Sequence, residues 1–254
     1  MNWFNRLFSD KKEEGSRAPA QPPPPLEATV PEFPFPLVPV RGAEAVTEWR
    51  RLNAAWRREG ASAVLLGDAE EVANRAETLA EGSGSAEAIL TLTQSRTAEE
   101  FFARRRQECG EAEDLNQPEP WPKKCTPASE VSAHLEVLSR KPKPVVYLAK
   151  LPTTRPWEIP AYLQAGGWND CPAPEDQVIA LRHWTEKYGV EIYAITDDIM
   201  ECFVEHPPQT QAAALELARE QFLFCTDIVY QGVESLTLLA ACLKDGSTWY
   251  FWWD

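Results

Sequence analysis

The sequence lacks the marks of most familiar chemistries. Neither GxGxxG nor GxxxxGK[ST] occurs, so no dinucleotide-binding turn and no phosphate-cradling loop is spelled out. HExxH and GxSxG are missing too, and with them the zinc-protease helix and the nucleophile elbow. Three histidines, His134, His183 and His206, are all that could serve a nucleophile as base. The six cysteines, Cys109, Cys125, Cys171, Cys202, Cys225 and Cys242, include no Cys-x-x-Cys pair, and the usual zinc-ligand spacings are absent. No metal and no cofactor is expected. No apolar run approaches the roughly 18–20 residues of a membrane span, which excludes an integral membrane protein. Positive charge is scarce: 25 Lys and Arg face 39 Asp and Glu, a net charge of −14. A nucleic-acid partner is therefore not expected, because a phosphate backbone would be repelled.

What is present divides the chain. Residues 1–8 read as a docking helix for a membrane surface or a partner groove, with Trp3 and Leu7, and Phe4 and Phe8, four residues apart on one face. This start has no secretory pattern and no Gly at position 2, so secretion and myristoylation are not expected, and the location is read as cytoplasmic with reduced thiols. Residues 9–42 hold nine of the 22 prolines and read as a disordered linker with a polyproline II run at Pro22–Pro25. Residues 43–110 read as a smaller helical and α/β part, 111–143 as a loop with a connecting helix, and 144–254 as an α+β domain.

Hydrophobic spacing places the elements. Val46, Trp49, Leu52 and Trp56 make a helical stripe, and residues 62–66 read as a buried strand. Two helices are expected at about 68–81 and 97–109, separated at 82–85 by Gly and Ser. Beyond 144 the order is strand 145–149, helix 174–188, strand 190–195, strand 200–204, helix 210–224, helix 233–244 and strand 248–253. The fold class expected is α+β: a mixed sheet with a βαββαβ, ferredoxin-like order in the C-terminal half and helices packed on it. The alternative is one larger mixed sheet that recruits the strand at 62–66.

The strings Trp157-Glu158-Ile159-Pro160-Ala161-Tyr162, Gly166-Gly167-Trp168-Asn169-Asp170-Cys171-Pro172 and Trp249-Tyr250-Phe251-Trp252-Trp253-Asp254 resemble the bacterial family called domain of unknown function 4253. Val64-Leu65-Leu66-Gly67, Ala218-Arg219-Glu220-Gln221 and Asp227-Ile228-Val229 extend the resemblance over most of the chain after residue 40. Thr226 stands where members usually carry proline. The resemblance implies a bacterial origin and a shared fold, and it supplies no established activity.

The candidate binding residues are Glu158, Trp168, Asn169, Asp170, Cys171, Asp227, Gln231, Trp252 and Asp254. Asn169 and Asp170 precede a helix, where such side chains commonly cap free N–H groups. They equally suit a loop that binds a polar ligand or a basic side chain, with Trp168 as apolar wall. Cys171 near a helix start is a nucleophile only if a base such as His183 reaches it. Glu158, Asp170, Asp227 and Asp254 would form a carboxylate cluster if the strings converge. Residues 43–110 carry twelve acids against nine bases, and residues 111–254 carry 22 against 11, so the acidity is concentrated late. The function expected is a protein-interaction module, immunity-like, whose acidic face binds a basic partner protein. The alternative is a small-ligand-binding protein or enzyme using the loop 168–171. No reaction is spelled out.

Overall fold

The computed structural model describes residues 26, 28–82, 84–109 and 120–254. The expected docking helix, the linker up to residue 25 and positions 110–119 lie outside the described residues. The chain enters through β1 (Leu37–Val40) and α1 (Ala45–Arg57), where Trp49, Leu52 and Trp56 are buried along one stripe. It continues into β2 (Ser62–Gly67), all six residues of which are buried. Helix α2 (Ala69–Glu81) opens on a capping box: Asp68 accepts from the Glu70 and Glu71 N–H groups, and Glu71 accepts from the Asp68 N–H. Ser85 and Thr97 cap α3 (Ala86–Leu92) and α4 (Ala98–Glu108). There follow β3 (Val146–Leu151), α5 (Ile159–Leu163), α6 (Pro174–Tyr188), β4 (Val190–Ile195), β5 (Ile199–Val204) and α7 (Gln211–Phe224). A π-helical turn (Ile228–Val233), α8 (Leu236–Leu243) and β6 (Thr248–Trp252) complete it. Among the described residues, no helix is long and apolar enough to cross a membrane.

The strands form one mixed sheet in the order β1-β3-β2-β4-β5-β6. Only β2 and β4 pair in parallel; the other neighbours are antiparallel. The fold is α+β, as expected, but the sheet does not run in ferredoxin-like order, because β2 lies between β3 and β4. The residues of β2 explain this. Ala63 and Leu65 face α1, while Val64 and Leu66 face the layer built by α4, α6 and α7. A strand apolar on both faces is stable only where both faces and both edges are covered, which is the centre of a sheet.

Two expectations are corrected. The stretch 28–42 is folded rather than a linker: Phe33, Phe35 and Leu37, at every second position, pack on the core, and the Thr29 carbonyl accepts from the Tyr147 hydroxyl at 2.8 Å. Pro39 is tolerated in β1 because an edge strand has a ladder on one side only. The described part of 111–143 contains no helix. Its N–H groups are used elsewhere: Ser132 and Ala133 donate to the Glu201 carboxylate at 2.7–2.9 Å, and Ser132 Oγ adds a further bond at 2.7 Å. Glu201 is 1% exposed, and burial raises its pKa. A carboxylate taken from water needs several donors, and the loop supplies them at the expense of its own helix.

His134 sits on the same loop, 3.1 Å from the Tyr193 hydroxyl. Burial, aided by Arg140, holds its pKa at about 4 against an ordinary 6.5. The unfolded chain therefore binds a proton between those values that the folded chain refuses, and folding stability falls as the pH drops through that window. Chemical denaturation of wild type and His134→Gln from pH 7 to pH 4 checks this. The wild type should lose stability relative to the variant on acidification; parallel curves contradict a neutral, buried histidine.

Candidate functional site

Parallel pairing brings the carboxyl ends of β2 and β4 to the same edge, the position at which open α/β sheets leave a crevice. A cavity of about 10 Å³ lies there, lined among others by Arg75, Trp168, Cys171, Gln177, Thr196 and Trp253. Arg75, from the helix after β2, reaches the turn after β4: Nη2 donates to the Thr196 carbonyl at 2.8 Å, and Nη1 makes a long bond to the Leu163 carbonyl at 3.5 Å. It is 6% exposed, and burial lowers its pKa while Asp197 opposes the shift. Four buried polar atoms in this lining have no hydrogen-bond partner: Arg75 Nε, Gln177 Oε1, Thr196 Oγ1 and Trp253 Nε1. They are half of the eight such atoms among the described residues, so the deficit is concentrated at one place. Buried polar groups left unpaired cost on the order of 1–3 kcal/mol each, so a hydrogen-bonding group placed here would be stabilised more than elsewhere in the core.

The loop 165–172 is shaped by Gln177 and two glycines. Gln177 Nε2 donates to the Ala165 and Pro172 carbonyls, both at 2.9 Å, which leaves its oxygen for the cavity. Gly166 has φ +91, and a Cβ there would lie 2.1 Å from the Pro172 carbonyl oxygen. Gly167 has φ +81 with open space around it.

The family strings converge, and mostly on each other. Trp168 is half-buried and lines the cavity. Asn169 Nδ2 donates to the Asp254 carbonyl at 2.9 Å, the Asp254 N–H to Asp227 Oδ2 at 3.2 Å, and Gln231 Nε2 to Asp227 Oδ1 at 3.0 Å. Asp170 accepts from Arg105 at 2.7 Å and from the Thr226 hydroxyl at 2.9 Å. A proline at 226 would supply no such donor. Neither Asn169 nor Asp170 caps α6: Ala173 is the N-cap, and Pro174 removes one of the N–H groups that would need a partner. Trp252 donates from Nε1 to Asp198 at 2.9 Å. Asp227 and Asp254 are thus neighbours and Asp170 stands one residue away through Thr226, but Glu158 is elsewhere, bonded to Thr153 and Arg155.

Cys171 is buried beside the cavity, and burial, reinforced by Asp170, pushes its thiol up to about 12 despite Arg75 and the Gly167 N–H. At neutral pH it is a thiol and a poor nucleophile. His183 does not activate it; its Nε2 lies 3.3 Å from Glu220. Among the described residues, no group of three or more His, Cys, Asp or Glu is gathered as a metal site requires.

Glu158 lines a separate groove of about 920 Å³ with Trp157, Tyr162, Leu90 and Arg182. It is far larger, but its half-buried charged groups already have partners: Arg155 pairs with Glu158, and Arg182 donates to the Thr93 and Arg96 carbonyls. Unmet hydrogen bonding, rather than volume, favours the small cavity. Arg75, Gln177 and Thr196 are not among the binding residues that the sequence points to. Arg75 had a readable signal: it stands between Val72 and Leu79 at helical spacing, a charge inside an apolar stripe.

The two glycines separate shape from conformation. Gly166→Ala combines positive φ with overlap and should cost about 3 kcal/mol or more, whereas Gly167→Ala should cost about 1 kcal/mol. Equal losses in thermal unfolding contradict the loop geometry.

No curated protein and no solved structure matches the chain. Residues 147–254 match the profile of the family described as Domain of unknown function (DUF4253). That region supplies Trp168, Cys171, Gln177, Thr196 and Trp253, whereas Arg75 and the central strand β2 come from the chain before it. The matched stretch runs from within β3 through β6, so the likeness to that family covers the C-terminal part of the chain.

Proposed function

We propose that the chain is an interaction module, immunity-like in kind, whose recognition site is this cavity and its acidic rim. The observation that carries the reading is the set of four unpartnered buried polar atoms lining one cavity. Arg75 Nε and Trp253 Nε1 are donors, so an acceptor suits the interior: a carbonyl or carboxylate oxygen. The cavity, at about 10 Å³, has room for one water-sized group and no whole substrate, which favours a single oxygen presented by a larger partner.

The rim supports a basic partner. Asp197 and Asp198 line the mouth, with Asp227 and Asp254 held to the adjoining loop. Their partners are neutral: Asn74 for Asp197, the Trp252 indole for Asp198, Gln231 and a backbone N–H for Asp227. Other acids in this half have an arginine partner, Asp170 in Arg105 and Asp176 in Arg96 and Arg104. Four carboxylates outnumber the Arg75 guanidinium and the Lys143 ammonium that acts on Asp198, so a lysine or arginine side chain is attracted, with Trp168 offering a face for it. Burial, together with the neighbouring Asp197, raises the pKa of Asp198 against the Trp252 bond that lowers it.

Fluorescence anisotropy with a labelled oligo-arginine peptide tests the reading. Binding should weaken with salt, and Asp197→Asn with Asp198→Asn, which keeps one acceptor oxygen at each position, should weaken it about tenfold. Trp168→Ala should weaken it as well. Affinity should fall as the pH drops, starting above the ordinary aspartate range because Asp198 takes its proton early. Binding that is unmoved by all four changes in a folded protein overturns the site.

A further inference from the structure

Cys125 and Cys242 are 117 residues apart, and their sulfurs lie 3.2 Å from each other. Cys125 is half-buried on the loop before β3, and Cys242 is buried in α8 at 5% exposure. The backbones are already tied: the Ala128 N–H donates to the Cys242 carbonyl at 2.9 Å, and the Ser247 N–H to the Ala128 carbonyl at 2.7 Å. A disulfide needs sulfurs about 2.04 Å apart, so closing the gap takes about 1.2 Å, within reach of a small side-chain rotation. We infer that Cys125 and Cys242 form an oxidation site that closes to an intramolecular disulfide under peroxide, fastening the loop to α8.

The chemistry balances in two steps. The more exposed Cys125 thiolate attacks one peroxide oxygen, giving a sulfenic acid and releasing one water after proton transfer. Cys242 then loses its proton, its sulfur attacks Cys125 Sγ, the S–O bond breaks and a second water leaves. Two thiols and one hydrogen peroxide become one disulfide and two waters, and the sulfur pair gives up two electrons. Burial holds the Cys242 thiol well above the ordinary range, so the second step should quicken as the pH rises. Cys171, Cys202 and Cys225 are buried and Cys109 is half-buried; what sets Cys125 and Cys242 apart is that a half-buried sulfur lies 3.2 Å from a second one. A thiol dithiol reagent such as dithiothreitol should reverse the bond.

Intact-mass spectrometry of the full chain before and after mild hydrogen peroxide, followed by non-reducing peptide mapping, tests this. The expected result is a loss of two hydrogen atoms, a Cys125–Cys242 linked peptide, and a higher thermal midpoint that dithiothreitol abolishes. In Cys242→Ala the linked peptide should vanish and dimedone should label Cys125; in Cys125→Ser neither product should form. Oxygen gained at Cys125 in the wild type without a linked peptide overturns the inference, as does a link between other cysteines or no change in mass.

Discussion

The fold depends on the position of one strand. β2 is buried on both faces and paired on both edges, antiparallel to β3 and parallel to β4. Removing its apolar faces from water is the gain; the cost is that everything around it must be covered, which calls for α1 on one side and the α4, α6, α7 layer on the other. It also joins the parts of the chain, since β3 and β4 flank it and belong largely to the region matched by the family profile. The parallel pairing creates the crevice at its carboxyl end. Arg75, on the helix that follows β2, lines that crevice and reaches the turn after β4.

Charge follows a similar logic of partners. The acidity of the second half is not all surface. Arg57, Arg96, Arg104 and Arg105 from the first half pair with Glu191, Asp176 and Asp170, drawing part of the negative charge into contacts between segments. Such part-exposed pairs add little stability individually. They do distinguish the carboxylates that have a cation from those around Trp168 that have only neutral donors.

Satisfied and unsatisfied polar groups divide the molecule in the same way. Glu201 is a buried charge with a full set of donors, and it holds a loop in place. Asp170, the most pointed acid of the sequence, is likewise absorbed by Arg105 and Thr226. The cavity beside Trp168 is the place where donors and acceptors converge and remain unmet, and the larger groove beside Glu158 is not.

Local periodicity was enough for much of the architecture. The stripe Trp49, Leu52, Trp56, the run Ser62–Gly67, the helix Pro174–Tyr188 and the strand Val190–Ile195 are all readable, because burial on one face imposes a period and burial on two removes it. Short elements such as α3 and α5 were not, since one or two turns hold too few residues to show a period. The sequence by itself also marked Trp168, Asn169, Asp170 and Cys171 as a place of interest, and it named Asp227 and Asp254, which proved to be neighbours. Only the tertiary structure decided that β2 separates β3 from β4, that Asp170 is spent on Arg105, and that Arg75 meets Thr196 across 121 residues. Strand order and side-chain partnership are contacts between distant segments, and a one-dimensional pattern carries burial but not the identity of the neighbour.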